Sequence, residues 1–207
     1  LQDEEALQGW FNTRIENYLA AKGKNIIGWD EILEGGLSPN ATVQSWRGFE
    51  GGIEAVEQGH DAIMSPTSHA YFDYPVSSID VPKVYSYSPI PSGLDPLDAG
   101  HILGGECNLW SERIPDVETL DRRFLPRGIA MAEVLWSHPS KRNYDAFWQR
   151  LQLHYPMLDV LGYSYDVEQV PVILSSSNES YNGKLELRAT ATPAFPNLQL
   201  ELSSPSG

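Results

Sequence analysis

Between Asp3 and Lys22, Leu7, Phe11, Ile15, Tyr18 and Leu19 fall on one face at helical spacing, and Gly23 supplies a stop. This predicts an amphipathic helix. The pattern then shortens to apolar runs bounded by turn residues. Asn25 to Glu31 (NIIGWDE), Ala41 to Arg47 (ATVQSWR), Asp61 to Ser65 (DAIMS) and His101 to Trp110 (HILGGECNLW) read as buried strands. Helical spacing returns over Phe49 to Gly59, over Leu120 to Trp136 with a break or kink expected at Pro126, and over Tyr144 to Leu161. The stretch from Pro75 to Gly100 is rich in Pro, Ser and Tyr. It is too long and too aromatic for a bare linker, and reads as an ordered excursion.

Strands that alternate with helices imply a parallel sheet with crossover connections. Four such strands amount to half of an eight-stranded (β/α) barrel. The texture changes after Val167. Pro171, the serines from Ser175 to Ser177, and Gly183 read as linker and turn. Lys184 to Thr190 and Leu198 to Leu202 alternate apolar with polar residues, as half-buried antiparallel strands do. The expected fold class is therefore α/β, the second half of a (β/α)₈ barrel over residues 1–166. A linker and the first strands of a β-sandwich-like domain are expected over residues 167–207.

Composition narrows the chemistry. The net charge of −14 argues against a nucleic-acid backbone as partner. No run of about 18 apolar residues occurs, so no membrane-spanning helix is expected. The single cysteine excludes an internal disulfide. Aromatic residues make up 11% of the chain, which fits either a rich core or a surface that stacks on sugar rings. The five histidines, His60, His69, His101, His138 and His154, show no spacing typical of a metal site. Cys107 lies in an apolar strand with no evident base beside it and reads as structural. Neither a metal nor a cofactor is expected.

Each predicted strand ends in aromatic or acidic residues: Trp29-Asp30-Glu31, Trp46-Arg47, Tyr71 to Asp73, and Trp110 to Glu112. In a parallel barrel the strand C-termini share one face, where active sites form. Taken singly, Trp29 and Trp46 could be core residues, and Asp30 and Glu31 could cap a helix. As a set they suit a neutral, hydroxyl-rich ligand, whose apolar faces the rings cover and whose hydroxyls the carboxylates accept.

The ordered series GWDEI (Gly28 to Ile32), QSWRG (Gln44 to Gly48), YFDY (Tyr71 to Tyr74), GGECNLWSE (Gly104 to Glu112) and PRGIAMAEVLWS (Pro126 to Ser137) resembles glycoside hydrolase family 20, the β-N-acetylhexosaminidases. The resemblance spans roughly Trp10 to Tyr165. It implies a (β/α)₈ barrel that releases terminal β-linked N-acetylglucosamine or N-acetylgalactosamine. It also implies substrate-assisted chemistry, in which the substrate's acetamido oxygen attacks the anomeric carbon. On this resemblance Tyr71 is the catalytic group that orients the acetamido oxygen. Trp29, Trp46 and Trp110 wall the substrate pocket, and Asp73 and Glu112 bind sugar hydroxyls. Glu106, Arg113, Glu133 and Trp136 are expected to support structure, as are Asp30 and Glu31.

The family's adjacent Asp-Glu catalytic pair has no counterpart among these residues. Asp3-Glu4-Glu5 lacks the glycine-rich setting, and Asp30-Glu31 matches a later motif. The expected partners are a glycan bearing β-linked N-acetylhexosamine and the N-terminal half of the same protein. Three function classes follow: a glycosidase, a non-catalytic carbohydrate-binding module that keeps the pocket walls, and a metal-dependent barrel hydrolase disfavoured by the histidine spacing. For a bacterial protein the resemblance implies a periplasmic, cell-surface or secreted location.

Overall fold

The computed structural model describes residues 3–176 and 187–191. The chain runs α1 (Glu4–Ala20), β1 (Ile27–Trp29), β2 (Thr42–Ser45), α2 (Glu50–Glu57), β3 (Ala62–Met64), α3 (Thr67–Ala70), α4 (Val81–Ser86), α5 (Pro96–Ala99) and β4 (Ile102–Gly105). It continues with α6 (Val117–Phe124), α7 (Arg127–Trp136), α8 (Tyr144–Gln152), α9 (Tyr155–Leu161), β5 (Val172–Ser176) and β6 (Leu187–Ala191).

β1 to β4 form one parallel sheet in the order β1-β2-β3-β4. The register sets Trp29 beside Gln44 and Ser45 beside Met64, so the C-terminal ends of neighbouring strands lie along one edge. Val43, Ala62 and Met64 are fully buried, and α2 covers them with Ala55 and Val56. The fit of α2 depends on Gly52. A Cβ there would lie 2.3 Å from the Met64 sulfur and 3.3 Å from the Ser45 Cβ. The excursion from Pro75 to Gly100 is ordered, as its aromatic content implies. It contributes α4 and α5, and Val81, Val84 and Tyr87 join the main core.

Several elements differ from the sequence reading. The fourth strand is only four residues long, and it is irregular: Ala62 pairs with Ile102 but Ile63 with Gly104, so Leu103 is bulged, and Gly104 sits at φ 146° within the strand. The helix expected from Leu120 to Trp136 is two helices parted at Leu125-Pro126, where proline interrupts the ladder as expected. The helix expected from Tyr144 to Leu161 is also two. Pro156 has no N–H to return to Gln152, so α8 ends there and α9 begins at Tyr155.

α1 forms where its spacing predicts, capped by Asp3, whose Oδ1 accepts from Ala6 N at 2.7 Å. Its apolar face is not covered by the described residues: Leu7, Phe11, Ile15 and Tyr18 stay exposed, while Gly9 packs against the Gly35 backbone. Toward the C-terminus, Ser175 and Ser176 belong to β5 rather than to a linker. β5 pairs antiparallel with β6, whose backbone takes in Leu187 to Thr190 of the predicted strand. Lys184 to Glu186, Ser177, Gly183 and the predicted strand Leu198 to Leu202 lie outside the described residues. No described helix is long and apolar enough to cross a membrane.

Candidate active site

The aromatic residues singled out at the strand ends converge. Trp29 closes β1, and Trp46 follows β2. β3 leads through α3 to Tyr71. A lone parallel bridge pairs Tyr71 with Asn108, fixed by Asn108 N donating to Ala70 O at 2.7 Å and Phe72 N donating to Asn108 O at 2.8 Å. That bridge carries Trp110, two residues on, to the same place. Trp29 and Trp110 lie 5.8 Å apart between ring centroids, and Trp46 and Tyr71 6.1 Å apart. Together with Glu31 these four rings line a cleft of about 280 Å³. That is near the lower end of small-molecule sites, ~300 to 1,000 Å³, and suits one ring better than a chain of them.

Tyr71 is 6% exposed. Burial, chiefly, pushes its hydroxyl up to about 12, with a contact from Trp110 acting in the other direction and the Asp73 charge adding to the rise. The phenol therefore keeps its proton at neutral pH and serves as a hydrogen-bond donor facing an aromatic cleft.

The adjacent acids Asp30 and Glu31 do different work. A single 3₁₀ turn, Asp30–Leu33, follows Trp29, and three residues per turn send successive side chains in different directions. Asp30 is 1% exposed and accepts from Trp46 N at 3.0 Å, Arg47 N at 3.2 Å and Arg47 Nε at 2.6 Å. It ties the end of β1 to the end of β2, which is the scaffold role expected. Arg47 is raised by its bonds to Glu34 first and Asp30 second. Glu31 instead faces the cleft, and its Oε2 accepts from the Trp46 indole at 3.0 Å. Asp30→Ala leaves the part-buried N–H groups of Trp46 and Arg47, and the Arg47 guanidinium, without this acceptor. The expected loss is ~3 kcal/mol, read from the urea midpoint, and a loss below ~1 kcal/mol would show that Asp30 does not hold the two strand ends.

Asp73 and Glu112 do not line this cleft. Asp73 is 4% exposed; its Oδ2 lies 3.8 Å from Arg113 Nη1, and its buried Oδ1 has no partner among the described residues. Arg113 also stacks over Tyr74, 4.5 Å from the ring centroid, so it braces the Tyr71 to Tyr74 loop. Glu112 sits exposed on the short turn Ser111–Arg113. Of the other residues expected to be supporting, Glu133 accepts from Tyr85 Oη at 2.8 Å and pairs with Arg150. Glu106 accepts from the Gln44 amide, and burial raises its carboxyl. Trp136 departs from that expectation. It is 91% exposed and braces nothing among the described residues. The Cys107 thiol is pushed up to about 11 by burial, so it stays protonated and inert at neutral pH.

One residue that shapes the site carried no signal of its own. Arg127 is fully buried, and its guanidinium donates to the carbonyls of Phe72 (2.6 Å), Tyr74 (3.0 Å), Ile79 (3.0 Å) and Arg123 (2.9 Å). Burial lowers it to about 10, which leaves it charged at neutral pH. It holds the loop that follows Tyr71 in place.

Comparison with known proteins agrees with this geometry. The model of the glycosyl hydrolase family 20 catalytic domain matches residues 1–139. The chain belongs to this family. It is 39% identical over 179 residues to the β-hexosaminidase of Porphyromonas gingivalis, a match covering 81% of this chain and 23% of that protein. It is 31% identical to the β-N-acetylhexosaminidase of Cellulomonas fimi, over 73% of this chain and 34% of that one. Among solved structures it resembles the family 20 exo-β-N-acetylglucosaminidase of Vibrio harveyi in complex with N-acetylglucosamine. The TM-score is 0.73 and the identity 29%, covering 81% of this chain and 28% of that one. The N-acetyl-β-hexosaminidase of Streptomyces plicatus gives a TM-score of 0.72 at 25% identity, covering 80% of this chain and 36% of that one. The chain therefore spans about a quarter to a third of the length of the curated relatives it matches.

Proposed function

We propose that this family 20 chain supplies the sugar-holding part of a β-N-acetylhexosaminidase that releases terminal β-linked N-acetylglucosamine or N-acetylgalactosamine. The observation that carries the reading is the cleft itself: three indoles and a protonated phenol around a space for one sugar ring. In this reading Tyr71 donates its hydroxyl to the substrate's acetamido oxygen and aims that oxygen at the anomeric carbon. Trp29, Trp46 and Trp110 enclose the acetamido methyl and the ring faces. Asp73 and Glu112 accept from ring hydroxyls outside the aromatic cleft. The buried Oδ1 of Asp73, without a partner among the described residues, supports this, because such an oxygen gains ~1 to 3 kcal/mol from a donor.

The four parallel strands make up the second half of a (β/α)₈ barrel over residues 1–166, and residues 167–207 open a β domain. The uncovered apolar face of α1 and the exposed Trp136 support a barrel completed by further strands, which also bring the Asp-Glu pair that handles the proton. For a bacterial protein the reading places the enzyme in the periplasm, on the cell surface or outside the cell. The test compares the 207-residue chain with the same chain joined to the rest of its barrel, on a chromogenic N-acetyl-β-glucosaminide. General acid help is worth ~10² to 10⁴ in rate, so the chain alone is expected to fall at least ~100-fold short. Equal turnover from the two would overturn the division of the site.

A further inference from the structure

The indole of Trp46 has one hydrogen-bonding atom, and in this cleft Glu31 takes it. Glu31 Oε2 accepts from Trp46 Nε1 at 3.0 Å, while the other carboxylate oxygen carries no hydrogen bond among the described residues. Both side chains are half-buried, and both line the cleft. The backbone of Trp46 is fixed by a different acid: Asp30, next to Glu31, accepts from the Trp46 N–H at 3.0 Å. With the main chain anchored there, the remaining freedom of Trp46 is the rotation of its ring, and the bond to Glu31 removes it. Packing against the core limits how far the indole can turn, and the bond to Glu31 fixes its pitch within that range. The ring in question also packs on Tyr71, 6.1 Å away and tilted 31°.

We infer that Glu31 is a positioning residue for this cleft: it sets the pitch of the Trp46 indole that forms one of its walls. The inference rests on the hexosaminidase reading, and it adds a residue to which that reading gave no role at the site. The charge-assisted bond joins two half-buried side chains at the cleft wall. Placed in the wall of a one-ring cleft, it keeps an aromatic surface in the orientation that a sugar face must meet. The carboxylate then acts through Trp46 rather than on the reacting atoms.

The experiment uses the full-length enzyme that contains this chain, with a chromogenic N-acetyl-β-glucosaminide as substrate and N-acetylglucosamine as titrant for tryptophan fluorescence. Glu31→Leu removes the acceptor and is expected to raise KM, and the Kd for N-acetylglucosamine, about tenfold. Glu31→Gln keeps an acceptor oxygen and recovers most of that loss. Trp46→Phe deletes the indole N–H without touching Glu31. It should raise KM to a similar degree, and adding Glu31→Leu to it should cost nothing further. This variant keeps the test open should Glu31→Leu fail to fold. An unchanged KM in Glu31→Leu or in Trp46→Phe overturns the inference, as do equal losses in the Gln and Leu variants or additive losses in the double variant. A wild-type enzyme that does not cleave the substrate overturns the functional reading itself, before any Glu31 variant is compared.

Discussion

Tyr71→Phe in the full-length enzyme is expected to cut kcat by ~10² to 10³ while changing the Kd for N-acetylglucosamine by less than about fivefold. The substitution removes a single oxygen. The ring contacts to Trp46 at 6.1 Å and Tyr74 at 6.1 Å survive, so the cleft keeps its shape. What disappears is a donor whose proton burial holds in place, with the hydroxyl raised to about 12. In the proposed mechanism such a donor matters most where charge shifts during reaction, on the acetamido oxygen as it attacks. A bound sugar at rest feels the loss less, so the effect falls on turnover rather than on affinity. Steady-state kinetics beside a fluorescence titration separates the two. Unchanged turnover would remove Tyr71 from the mechanism, and a large loss of affinity with kcat intact would make it a simple binding residue.

Arg127→Met is expected to have the largest effect on stability, ~3 to 5 kcal/mol. The methionine fills much of the volume but leaves the carbonyls of Phe72, Tyr74, Ile79 and Arg123 without the donor that joins them. Part of that cost is offset, because a guanidinium lowered to about 10 by burial is itself expensive to keep inside. The remainder is still a large share of the ~5 to 15 kcal/mol typical of a domain. Arg127→Lys keeps the charge but reaches fewer of the four carbonyls, and it should fall between Met and wild type. Urea unfolding of the three proteins gives the order. A Met variant within ~1 kcal/mol of wild type would show that the loop after Tyr71 is held by its own packing.

The parts of this molecule that were legible in its sequence are those with a local pattern. Short apolar runs before Trp29 and Trp46 and within His101 to Trp110 announce strands, and parallel strands bring their C-terminal ends together along one edge. The burial expected of all four holds for β2 and β3, whereas Ile27 of β1 and Leu103 of β4 are exposed and β4 ends five residues before Trp110. The break at Pro126 was equally visible. The second helix break was not, because Phe147, Leu151, Tyr155 and Leu158 keep helical spacing straight through Pro156. The apolar period continues even though the backbone ladder does not. The face of α1 has helical spacing too, but spacing tells only that a face is apolar and not what covers it.

At the site, the four rings were readable and two less obvious contributors were not. Asp30 and Glu31 look alike as a pair, and only the 3₁₀ turn after Trp29 separates a backbone anchor from a cleft-facing carboxylate. Arg127 could not be singled out because its partners are main-chain carbonyls. Those of Ile79, Tyr74 and Phe72 lie 48, 53 and 55 residues upstream, and a carbonyl leaves no signature in the residue type that carries it. The lining of the cleft also shows why Asp73 and Glu112 stand apart from the rings: one is buried beneath the loop, and the other sits on an exposed turn.

In the proposed function an acetamido group is both held by the indole walls and used as the nucleophile. The most direct measurement is the ratio of kcat/KM for p-nitrophenyl N-acetyl-β-glucosaminide to that for p-nitrophenyl β-glucoside, taken on the full-length enzyme. The two differ only in whether position 2 carries the acetamido group or a hydroxyl. Loss of both the nucleophile and its pocket contacts predicts a ratio of at least ~10³. A ratio within about tenfold of unity would contradict the role assigned to this cleft.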